Sequence, residues 1–100
     1  MPYRYALAEH GKTLATRPLG HQLRTSLVQE ADGAISVALD FSGVISTSHS
    51  FADEFVARLA EEIKLGEVPF GISISGATPE VERVVLKALE RRQLEAPLLV

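Results

Sequence analysis

Cysteine is absent from the chain, and with it go disulfides, thiolate nucleophiles and cysteine-based zinc sites. A cytoplasmic location is the expectation that fits. Basic charge is also short: ten Lys and Arg stand against thirteen Asp and Glu, a net charge of −3. Nucleic-acid surfaces carry a basic footprint, so no nucleic-acid partner is expected. No apolar run approaches the roughly 20 residues that span a bilayer. The opening MPYRYALAEHGK lacks the apolar core of a signal peptide. Neither membrane insertion nor export is expected.

The usual marks of chemistry are missing too. The three histidines, His10, His21 and His49, show no converging set of ligand-type residues around them, so no metal site is expected. His49, Ser50 and Asp53 are the residue types of a hydrolase triad. Neighbours one and four apart rarely converge in triad geometry, and no G-x-S-x-G elbow is present. Neither LGEVPFG nor SISGATPE has the glycine spacing of a phosphate loop. The expectation is a protein that is not an enzyme and needs no cofactor.

What is present is an ordinary globular composition, 46% hydrophobic and 23% charged over 100 residues, which suits one domain with one core. Tyr3 to Glu9 alternates loosely, as an edge strand does, and Lys12 to Thr16 reads as a second strand. Pro18 suits the first turn of a helix, with Thr16 or Arg17 as its cap, and Leu23, Leu27 and Val28 continue it. Ala34 to Phe41 is almost continuously apolar, the pattern of a central strand covered on both faces. Phe51, Phe55, Leu59 and Ile63 lie four apart and make a buried helical stripe over 51–64, with Glu54 and Arg58 as an i,i+4 pair. Gly66 ends that helix. Pro69 to Ser75 reads as a strand. Thr78-Pro79-Glu80 opens a last helix, and Leu98-Leu99-Val100 can form a short strand or a dimer edge. Strands separated by helices predict a small α/β sandwich with a largely parallel sheet. Cations cluster only from Arg83 to Arg92, near a helix C-terminus, where they complement the dipole.

The hydroxyls of Ser46, Thr47, Ser48 and Ser50 crowd one approach to a helix. Ser50 as the cap places Asp53 three residues on, a relative of the capping box, and puts Asp53 and Glu54 at the positive end of the dipole. Ser48 and His49 then face outward, beyond the C-terminal end of a central strand. Ligands and partners gather at that edge of open α/β sheets. Ser75, Gly76 and Thr78 form a second helix start that can hold an anion.

The run LDFSGV from Leu39 to Val44, followed by a serine-rich loop and an amphipathic helix, resembles the STAS fold of anti-sigma-factor antagonists. That family reads Leu-Asp-Leu-Ser-Gly-Val, a spacer, then Asp-Ser-Ser/Thr-Gly-Leu-Gly. Leu39, Asp40, Ser42, Gly43 and Val44 match the first half. In the second half Ser48 stands at the family's Asp, His49 at its phosphorylated Ser and Ser50 at the next hydroxyl. Phe51-Ala52-Asp53 replaces Gly-Leu-Gly. TSHSFADEF is more similar to the STAS-like group of unknown function, whose helix begins Ser-Phe-Ala-Asp-Glu. The resemblance implies a binding and relay module without catalysis, switched by phosphorylation of a Ser at this helix start. It implies docking through 46–55 to a histidine-kinase-like ATPase or an anti-sigma-type regulator. The alternative is a nucleotide or small-ligand sensor with an anion held near Ser50 and Thr78.

Overall fold

The computed structural model describes residues 2–100, apart from the side chain at position 98. Four strands, β1 (Tyr3–Ala6), β3 (Ser36–Asp40), β5 (Gly71–Ser75) and β6 (Leu98–Leu99), form one sheet in the order β1-β3-β5-β6. Every pairing in it is parallel. A second, two-stranded parallel sheet joins β2 (Thr13–Leu14) to β4 (Ser46–Thr47). Helices α1 (Arg17–Glu30) and α4 (Pro79–Arg91) flank a helical run over residues 49–64. No helix among the described residues is long and apolar enough to cross a membrane.

Local chemistry sets most of these boundaries. Thr16 caps α1 by accepting from Leu19 N–H at 3.2 Å, and Thr78 caps α4 by accepting from Val81 N–H at 3.2 Å. A proline in the first turn of each helix has no N–H to leave unsatisfied. The run over 49–64 ends as expected: Gly66, at φ +79°, lets the Glu67 N–H turn back to the Glu62 carbonyl at 2.9 Å.

Three expectations need correction. The strand from Tyr3 stops at Ala6, where Leu7–His10 turns into a 3-10 helix that buries Leu7. The segment from Lys12 does not fold back on β1; its two paired residues lie beside β4. The central strand is not covered on both faces. Val37 and Leu39 are buried while Ser36 is exposed and Ala38 half-buried, and across the pairing Ile74 is buried between half-buried Ser73 and Ser75. Side chains alternate along a strand, so one face takes the helices and the other carries small residues. Ile35, which looked like core, is 88% exposed.

The helical run from His49 is continuous but not uniform. It opens as α2 (His49–Ala52), passes through a π-helical turn (Asp53–Ala57) and continues as α3 (Arg58–Lys64). Phe51, Ala52, Phe55, Val56, Ala57 and Leu59 are all fully buried. Three consecutive buried positions do not fit one stripe of a straight helix at about 100° per residue. The wider turn shifts the register and lets the run pack against α1 and α4 at once. The Phe55 ring stacks between Tyr5 and Phe51, at centroid separations of 6.1 and 5.5 Å.

Candidate site at the start of the second helix

The chain reaches this site through a turn held by Asp40 at the end of β3. Its Oδ1 accepts from Ser42 N–H at 2.9 Å and its Oδ2 from Arg4 Nε at 2.6 Å. The Ser42 hydroxyl and amide, with Arg4 adding, hold the Asp40 carboxyl below its ordinary range against the opposing effect of burial. Gly76 lies hard against this turn. A Cβ there would collide with Ser42 Oγ and sit 2.8 Å from Asp40 Oδ1, and the backbone has φ +69°. The motif Asp-x-Ser-Gly is thus a structural clasp between the C-terminal ends of β3 and β5. It also bears on Ser75, Gly76 and Thr78. Thr78 is spent as a cap, and an anion beside Gly76 would face a carboxylate held ionised.

From the clasp the chain runs through β4, whose Thr47 hydroxyl donates to the Leu14 carbonyl at 2.9 Å. Ser46 is exposed. The helix cap is Ser48, not Ser50. Ser48 has extended backbone, its Oγ accepts from Phe51 N–H at 3.0 Å, and it donates to the Ala15 carbonyl at 2.7 Å. The shift of two residues follows from β4. Once Thr47 is paired with Leu14, the next residue is the first free to turn into the helix. Ser48 is therefore half-buried with its hydroxyl already bonded, contrary to the expectation that it faces outward, and His49 and Ser50 are the exposed residues of the first turn.

Asp53 and Glu54 also differ from the expected outward surface. Asp53 accepts from Arg92 at 2.6 and 2.9 Å and from Arg17 at 2.8 Å. The Arg92 hydrogen bonds, with Arg17, outweigh burial and bring its carboxyl down to about 2. Glu54 binds Arg24 at 2.8 Å rather than Arg58, whose Nε is buried with no hydrogen-bond partner among the described residues. Burial acts to raise the Glu54 pKa, but the Arg24 hydrogen bond and charge leave it lowered on balance. No side-chain hydrogen bond joins His49, Ser50 and Asp53 among the described residues; the Asp53 N–H bonds to the His49 and Ser50 carbonyls as part of the helix, and its carboxylate oxygens are taken by arginines.

The exposed first turn borders two clefts. One, of about 260 Å³, is lined by Arg17, His49, Ser50, Asp53, Ala88 and Arg91. The other, of about 530 Å³, runs on along α4 past Arg83, Val84, Leu86 and Lys87, and shares His49 and Arg91 with the first. The sequence marks Arg17 only as a possible cap and Arg91 only as one of a cation cluster, and does not bring them to one cleft. Arg17 comes from the start of α1 and Arg91 from the end of α4, and no spacing rule brings such distant residues together.

A parallel α/β fold whose Asp-x-Ser-Gly strand end feeds a capped helix defines a STAS-like domain. The family model for the STAS-like domain of unknown function (DUF4325) matches residues 20–82, and the chain belongs to that family. No curated protein and no solved structure gives a significant match.

Proposed function

We propose that the protein is a non-enzymatic regulatory module that docks a protein partner through residues 46–55, with Ser50 as the hydroxyl open to a kinase. The observation that carries this reading is the division of labour in the first turn. Ser48 is used both as acceptor and donor, while His49 and Ser50 are exposed at the rim of a cleft walled by Arg17 and Arg91. A phosphate on Ser50 would add about −1.5 to −2 charges at that rim. It would draw on arginines that a bound partner could otherwise use, so modification and docking would compete. The partner class that the family resemblance points to is a histidine-kinase-like ATPase or an anti-sigma-type regulator.

The test is capture of the protein encoded beside this one by immobilised wild type, Ser50→Glu, Ser50→Ala and His49→Ala. Ser50→Ala should retain the partner, and Ser50→Glu and His49→Ala should lose it. Equal capture by all four would sink the reading.

A further inference from the structure

The helix dipole accounts for the cations at the end of α4 but not for all of those from Arg83 to Arg92. Arg83 is four residues past Pro79, in the N-terminal half of α4, where a cation gains nothing from the dipole. Arg83, Lys87 and Arg91 follow one another at intervals of four, so they share one helix face and repeat about every 6 Å. All three are exposed. Only Lys87 has a carboxylate within ion-pair distance among the described residues, Glu90 at 3.9 Å. These cations are not needed to hold the fold together.

The face also has shape. It walls the larger cleft with the half-buried Val84 and Leu86, and runs through His49 and Arg91 into the smaller one. Arg17, Arg83, Lys87 and Arg91 line the two clefts against Asp53 and Glu90, and Asp53 is further offset by Arg92. A chain of net charge −3 thus gathers positive charge on one concave strip that ends at Ser50.

We propose that this strip binds an acidic segment of a protein partner, with carboxylates repeating at about 6 Å to meet Arg83, Lys87 and Arg91 and apolar side chains resting on Val84 and Leu86. Complementary charge of this kind sets partner choice and association rate. The inference rests on the docking reading and adds the chemistry of the partner. It also explains why charge at Ser50 would matter, since a phosphate there would compete with the segment for Arg91 and Arg17.

The probe is a short fluorescent peptide with glutamate at every fourth position among alanine and leucine, with a glutamine-substituted control. Anisotropy should show the glutamate peptide binding on the order of tenfold more tightly than the control, weakening as salt is raised. The triple reversal Arg83→Glu, Lys87→Glu and Arg91→Glu should weaken it by at least about tenfold, with the circular dichroism spectrum unchanged. Binding of the peptide by the triple variant as by wild type would overturn the inference. So would tighter binding of a single-stranded oligonucleotide or of anionic lipid vesicles than of the peptide. Capture of the neighbouring gene's protein separates the two readings. If Ser50→Glu abolishes capture and the triple reversal does not, docking at 46–55 stands and the acidic segment falls. If only the triple reversal abolishes it, the strip stands and the Ser50 switch falls.

Discussion

Arg24 grips Glu54 at two points. Its Nε donates to the Glu54 backbone carbonyl at 2.9 Å and its Nη2 to the Glu54 carboxylate at 2.8 Å. The backbone contact has a local cause. In an α-helix that carbonyl would accept from the Arg58 N–H, but in the π turn the Arg58 N–H bonds to the Asp53 and Phe55 carbonyls instead. The buried guanidinium donates to that carbonyl where the Arg58 N–H does not, and also binds Glu62 at 2.8 Å. A planar fork with five N–H groups can do this, and an ammonium cannot.

Arg24→Ala should therefore cost about 3–5 kcal/mol, the range for breaking a buried ion pair on one side. Arg24→Lys should recover little of it. Denaturant melts of the three proteins check this, and recovery of near wild-type stability by lysine would show that charge alone is enough.

Phe55 is fully buried and stacked on both sides. Phe55→Ala should lower stability by about 3–5 kcal/mol, as expected for removing a ring from a core that relaxes only partly. A thermal melt within a few degrees of wild type would contradict the packing described.

The two serines of the first turn should separate cleanly. Ser48→Ala removes the cap and the bond to the Ala15 carbonyl, and should cost about 0.5–2 kcal/mol. Ser50→Ala touches an exposed side chain and should stay within about 0.5 kcal/mol of wild type. The opposite order in chemical denaturation would return the cap to Ser50.

Asp53 makes stability depend on pH at the acid end. Its pKa falls from an ordinary 3.8 to about 2, chiefly through the Arg92 hydrogen bonds. A folded pKa below the unfolded one means that the stabilisation is present above about pH 4 and is lost as pH falls toward 2. Allowing for the partial exposure of the pair, roughly 1–2 kcal/mol should disappear across that window. Asp53→Asn should be less stable at neutral pH and show a flatter acid limb in melts recorded from about pH 5 to 2.

Much of the site was visible in the sequence as a place and not as an arrangement. The run from Leu39 to Phe55 marked the strand end and helix start because its motif is local. The cap was misassigned by two residues because the pairing of Thr47 with Leu14 joins segments 33 apart in sequence. Glu54 and Arg58 have the right spacing for an ion pair, yet Arg24, from another helix, took the carboxylate.

Local pattern alone determined the α/β class, the central strand, the stripe of Phe51, Phe55 and Leu59, the cap at Thr78 and the stop at Gly66, and it narrowed the first cap to Thr16 or Arg17. Each depends on residues within a turn or two, where backbone geometry leaves few alternatives. Tertiary structure decided which face of the sheet is covered, where the π turn falls, that Ser48 and not Ser50 caps the helix, and that Arg17 and Arg91 line one cleft with Ser50. Those outcomes depend on how three helices share one apolar layer. Helix packing positions residues that are distant along the chain, and hydrophobic periodicity within a segment carries no record of its neighbours.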